Sequence, residues 1–179
     1  MASEEAVLAG AMAGYERARL RRAVIAALPT LVLPLVAFAL GGRLVPSVVL
    51  GAALATLVIA LGWRGQAWGR AVPAGLLAGL FPLGLALTAQ RIGHVCTPEG
   101  CTSLCVPMCS AGGLIAGVVI SLAARRSTSP RLTLGAGAVV TLVVGALGCS
   151  CVGYAGALGM MAGLAVTASI GALLPRRAR

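Results

Sequence analysis

The chain has 179 residues, of which 59% are hydrophobic and only 10% charged, with a mean hydropathy of +1.01. That balance excludes an ordinary soluble domain and predicts an all-α polytopic membrane protein, because helices satisfy their backbone polar groups within each segment. The formal charge of +10 is carried by arginines at the ends of apolar runs. This is the positive-inside pattern, so direct nucleic-acid binding is not expected.

Residues 1–22 form a polar head. Glu4 and Glu5 stand near its start and Arg17, Arg19, Arg21 and Arg22 near its end, the order that suits a helix dipole, and Ser3 is a candidate N-cap. Leu8, Met12 and Tyr15 fall at i, i+4 and i+7, a narrow apolar face. The head reads either as a solvated lead-in or as a short cytoplasmic docking helix. In the second reading Leu8, Met12, Tyr15, Arg17 and Arg19 contact a partner, with Arg125 and Arg126 from a later loop.

Six apolar runs follow, at about 23–41, 46–63, 71–89, 107–124, 132–151 and 155–174, with a basic tail at 175–179. The transmembrane domain is expected to be one compact six-helix bundle over 23–174. Pro29 and Pro34 predict a kink in the first run. Ala37-Phe38-Ala39 resembles a leader-cleavage site, but the long head and the runs that follow favour an uncleaved span. Trp63 and Trp68 bracket arginines as interfacial anchors do. Gly75/Gly79, Gly113/Gly117 and Gly159/Gly163 have the spacing that lets helices approach closely.

Six spans place both termini on one side. On that side lie 12 of the 14 arginines; only Arg43 and Arg91 lie on the other. The expected orientation is therefore a bacterial inner membrane with both termini cytoplasmic.

The runs contain no internal charged residue, which weakens an ion-coupled transport reading. Thr56, Ser121, Thr141, Thr167 and Ser169 are expected to bond their own helices. One histidine and no aspartate leave no Ser/His/Asp set, so enzymatic activity is not expected.

The chemistry-bearing residues are the thiols. Cys96, Cys101, Cys105 and Cys109 follow the third run, and Cys149 and Cys151 end the fifth, so all six fall on the outward side. Cys101, Cys105 and Cys109 would share a helical face if the fourth helix began at 101. Pro107 instead sets its start near 106 or 107. Six cysteines allow 15 full pairings, and sequence does not choose among them. Cys149 and Cys151 are too close to pair comfortably, which favours pairing with the 96–109 loop. His94 with the cysteines is also a soft ligand set suited to zinc or copper(I), although the spacing is not that of a standard zinc site. No cofactor is otherwise expected.

The stretch Ser121-Leu122-Ala123-Ala124-Arg125-Arg126 through Leu147-Gly148, with the six-span layout and the outer cysteines, resembles the six-span proteobacterial anti-sigma factors of the NrsF type. The resemblance implies a membrane protein that holds a cytoplasmic sigma factor inactive and responds to oxidant or metal. Cys105 or Cys109, and Cys149, stand nearest the family's cysteines. The other readings are a small permeation component for metal ions or thiols, and a structural membrane subunit.

Overall fold

The computed structural model describes residues 2–39, 44–97, 100–149 and 154–173. Of residues 2–9, 66–67, 94–97, 100–103, 149, 154 and 172–173 it describes the backbone alone. Helix α1 spans Ala2–Ala27 and runs without a break from the polar head into the first apolar run, so no structural boundary falls at residue 22. Ser3 lies inside this helix and not before it, which corrects the capping expectation. Pro29 opens a 3-10 turn, Leu28–Leu31, where Thr30 Oγ1 donates to Ala27 O at 2.6 Å. Helix α2, Val32–Ala39, continues the span. The kink expected from the prolines is this tighter turn.

Helix α3 covers Leu44–Arg64, with Pro46 in its first turn, where no backbone N–H is needed. Gly65, at φ 137°, turns the chain into the short α4, Gln66–Gly69, and α5 follows at Ala71–Ile92. Gly93, at φ 76°, ends α5, its N–H bonding Ala89 O at 2.9 Å. A two-stranded antiparallel hairpin comes next, β1 His94–Thr97 and β2 Gly100–Ser103. Then come α6 Cys105–Arg126, α7 Pro130–Cys149 and α8 Tyr154–Leu173.

Among the described residues, five apolar helical stretches are long enough to cross a bilayer: Gly10–Ala39, Leu44–Arg64, Ala71–Ile92, Cys105–Arg126 and Pro130–Gly148. Ala155–Gly171, within α8, is a shorter apolar stretch.

The helices associate by close backbone approach. On α5, a Cβ at Gly75 would fall 2.8 Å from Gly137 O, and one at Gly79 would fall 2.6 Å from Val144 Cβ. These contacts run in the same direction along α5 and α7, so the two helices are parallel. Helices α6 and α8 are likewise parallel: Gly159 faces Ser110, Gly163 faces Ser110 and Leu114, and Gly171 faces Ser121. Gly113 and Gly117 meet Met160 and Thr167 from the other side of that seam. All three glycine pairs read from the sequence therefore lie in helix–helix contacts. Lipid tails are as apolar as leucine side chains, so dispersion and interhelical hydrogen bonds hold such seams. Thr141 Oγ1 donates to Gly75 O at 2.9 Å, and Ser121 Oγ reaches Thr167 O at 3.5 Å. Both side chains bond a neighbouring helix, contrary to expectation. Thr56 and Thr167 bond their own helices, to Ala52 O and Gly163 O.

Helix α3 joins this core through Leu54, Val58 and Leu61, which pack with Ala71, Val72, Val140 and Val144. Helices α1 and α2 lie antiparallel to α3, with Ala23 against Gly62 and Pro34 against Gly51.

Candidate functional site

The alternation of α5, α6, α7 and α8 gathers the start of α6, the end of α7 and the hairpin at one end of the bundle. Helix α6 begins at Cys105, earlier than Pro107 led us to expect. The proline sits in the first turn, where its missing N–H costs nothing, and Met108 N makes the first helical bond, to Leu104 O at 3.1 Å. Cys101 lies in β2 and not on this helix, as the proline argument required, and only Cys105 and Cys109 share the helix, one turn apart.

These two positions differ in environment. Cys105 is a half-buried free thiol. Cys109 is fully buried and packs with Ala86 of α5, Met160 of α8 and Leu142 of α7. It thus sits where four helices meet. The neighbourhood is tight: a Cβ on Gly112 would fall 2.6 Å from Pro82 Cα, and Gly145 of α7 lies directly against the Met160 thioether.

Cys149 is the last residue of α7. The preceding residue, Gly148, packs against Leu83 and Ala86, and its carbonyl accepts a hydrogen bond from Gln90 Nε2 at 3.1 Å. That bond ties the end of α7 to the last turns of α5, beside the hairpin. Cys151 lies outside the described residues. Cys96 and Cys101 are paired directly across the hairpin, and His94 is paired with Ser103. Among the described residues, no three His, Cys, Asp or Glu side chains come together as a metal-binding set.

Arg19, Arg64, Arg70, Arg125, Arg126 and Arg131 gather at the opposite end, while Arg91 stands in the last turn of α5 at the thiol end. Arg125 and Arg126 occupy the last turn of α6 and are exposed. Ser127–Ser129 then turn the chain into α7, where Ser127 Oγ accepts bonds from Ser129 N at 3.2 Å and Thr133 Oγ1 at 2.7 Å. Arg19 of α1 reaches across to the Gly65 turn, and the Arg64 guanidinium lies 6.0 Å from the Trp68 ring centroid, an interfacial arrangement. Farther out on α1, Met12 and Tyr15 are 70% and 68% exposed, and Arg17 is exposed beside them. The side chain of Leu8 lies outside the described residues.

Sequence reasoning singled out the thiols and arginines but not Met160 or Gln90. A methionine within an apolar run gives no signal beyond core packing, and its place against Cys109 follows only from the α6–α8 register. Comparison with protein-family models, curated proteins and solved structures finds no match to this chain.

Proposed function

We propose that the chain is a six-span bacterial inner-membrane regulator. It holds a cytoplasmic sigma factor at its arginine end and responds to oxidant or soft metal at its thiol end, in the manner of the anti-sigma factors it resembles. The observation that carries this reading is the position of Cys109. It is buried at a four-helix junction on α6, the same helix whose last turn presents Arg125 and Arg126 at the other end. Close-packed helix seams do not deform continuously, so an adduct or metal on Cys109 must displace α6 against α5 and α8. The Ser127–Ser129 link, bracketed by arginines, moves with it. Displacement becomes a switch when the partner binds the two arrangements unequally.

The sixth span is α8. Its contacts with α6 run from Gly159 to Gly171, so if α6 crosses the membrane α8 lies alongside it for most of that distance. The arginine distribution supports cytoplasmic termini. The partner needs an acidic face to match the basic end, with Met12 and Tyr15 as apolar anchors.

Crosslinked pull-down of the full chain from cells is the direct test. The expected result is a co-purifying sigma factor whose yield falls when residues 2–15 are deleted. Release under oxidant or copper should change in Cys109→Ser or Cys149→Ser. Absence of a sigma factor from the pull-down, together with unchanged transcription in a deletion strain, would remove the regulator reading. Reporters placed after Arg179 and in the 97–103 segment test the orientation, with cytoplasmic and periplasmic readings expected respectively.

A further inference from the structure

We propose that Cys96 and Cys101 form a disulfide with each other, closing the hairpin between α5 and α6 and leaving Cys105 outside the bond. The register carries the argument. In the antiparallel pairing Thr97 is opposite Gly100, Cys96 opposite Cys101, Val95 opposite Thr102 and His94 opposite Ser103. Directly opposed residues of an antiparallel ladder have Cα atoms about 4.5–5.5 Å apart, and a disulfide spans Cα separations of about 4.4–6.8 Å. Hydrogen-bonded and non-hydrogen-bonded pairs alternate along the ladder. Only two residues separate Thr97 from Gly100, so that pair is the hydrogen-bonded closing pair of the hairpin. Cys96–Cys101 then falls in the other class, whose side chains approach more closely. A one-residue slip in register would place the two cysteines on opposite faces and forbid the bond.

Both cysteines lie in the one hairpin, directly opposed, so their pairing needs no movement of any helix. Cys105, by contrast, is held in the first turn of α6 as a free thiol. The bond forms by exchange with an external disulfide such as oxidised glutathione or the disulfide of a periplasmic oxidoreductase. One cysteine thiolate attacks a sulfur of that disulfide, forming a mixed disulfide and expelling one thiolate. The second cysteine thiolate then attacks the protein sulfur of the mixed bond and expels the other. Two protein thiols are oxidised, two external thiols are produced, and the two protons go to the released thiolates or to water. The loop so closed is short, and a short loop adds little chain-entropy stabilisation. Its formation therefore stiffens the hairpin locally and remains reversible by thiol reductants.

The test is differential alkylation of the full chain in native membranes. Accessible thiols are blocked with one maleimide in the presence of denaturant, the protein is reduced, and newly freed thiols are labelled with an isotopically heavier maleimide. Fragmentation of the Ile92–Arg125 peptide then assigns each label. The heavy label is expected on Cys96 and Cys101 and the light label on Cys105. Light label on Cys96 and Cys101 would overturn the proposal. In Cys96→Ser, light label should newly appear on Cys101 and on no other cysteine. Its appearance at Cys149 or Cys151 would overturn the pairing. Should that variant fail to accumulate, the same assignment is read from the wild type by mass spectrometry of the unreduced peptide, which is lighter by two hydrogens when the bond is present. A full-mass peptide there is also a negative result. The readout is independent of any sigma factor, so it fails separately from the regulator reading.

Discussion

Gly163 of α8 and Gly14 of α1 are both helical glycines, yet their surroundings are opposite. A Cβ on Gly163 would fall 2.6 Å from Ser110 O and 3.0 Å from Leu114 N, whereas one on Gly14 would meet nothing within 4 Å. The contrast extends to whole regions. Helices α5 to α8 meet backbone to backbone and exchange interhelical hydrogen bonds. Helix α1 leaves Met12, Tyr15 and Ile25 exposed, the 3-10 turn leaves Leu28 exposed, and α2 leaves Leu35 66% exposed. The first region is close-packed, so a displacement forced at one of its seams is passed to the helices beside it. The second is an arm attached through α3, apolar toward lipid along its inner half and open along its head. If the protein signals, the tight region transmits and the arm receives the partner.

The largest expected effect probes the tight region at its sulfur junction. Met160→Ala removes a fully buried side chain from the contact with Cys109. Large-to-small changes in cores cost about 2–5 kcal/mol, and about 2 kcal/mol is expected here because burial from lipid contributes little and lost packing dominates. Unfolding in a titration of SDS against mild detergent measures it. The cavity should also expose Cys109, so its maleimide labelling in the folded state should accelerate while that of Cys105 changes little. Equal labelling of Cys109 in wild type and variant would show that Met160 does not guard the junction.

Next is Gly163→Ala. The added methyl must push Ser110 or the α6 backbone away, and overpacking of this kind costs about 1–3 kcal/mol. The same titration reads the loss. An unchanged midpoint would mean that α8 is not held tightly against α6, and would take the sixth-span argument with it.

How much of this was legible in the sequence follows the physics of each signal. Hydropathy runs and terminal arginines reflect local chemistry, so α3, α5, α6, α7 and α8 lie within a few residues of their expected places, whereas α1 runs through the expected boundary at residue 22. The glycine spacings marked seams correctly, because a small residue every four positions is itself the geometric requirement. Register between helices is not local. Nothing in Met160, Gln90 or Thr141 says which neighbour they meet, and Thr141 bonds Gly75 O across to α5 where its own helix was the expectation. The start of α6 was misplaced because a proline restricts its predecessor in a general chain, while the first turn of a helix tolerates it. For the thiols, spacing alone left 15 pairings open; only the hairpin register puts Cys96 opposite Cys101.

A smaller effect is expected from Thr141→Val. The substitution keeps the shape and removes the 2.9 Å bond to Gly75 O. Interhelical hydrogen bonds in membranes average about 0.6 kcal/mol, so a loss of about that size is expected, without change in Cys109 labelling. Thr56→Val removes a bond within one exposed helical turn and should leave the midpoint unchanged. Equal losses for the two would show that the seam bond adds nothing beyond a local one.

The smallest effect has the opposite sign and completes the comparison. Gly14→Ala makes the same chemical change as Gly163→Ala, but in the open head of α1, where the new methyl group touches nothing. Glycine in an exposed helix interior is less favourable than alanine by about 1 kcal/mol, through the backbone freedom it must give up. Residues 10–18 are all exposed, so that gain stays local. The expected result is slower amide hydrogen exchange around residues 10–18, with an SDS midpoint unchanged within about 0.5 kcal/mol. The pair of glycine variants thus separates packing from propensity: one substitution destabilises the bundle, and its twin orders only the arm. A fall in the midpoint for Gly14→Ala would mean that a second surface covers the head in the folded protein. The head would then be part of an interface already formed, and no longer an arm free to receive a partner.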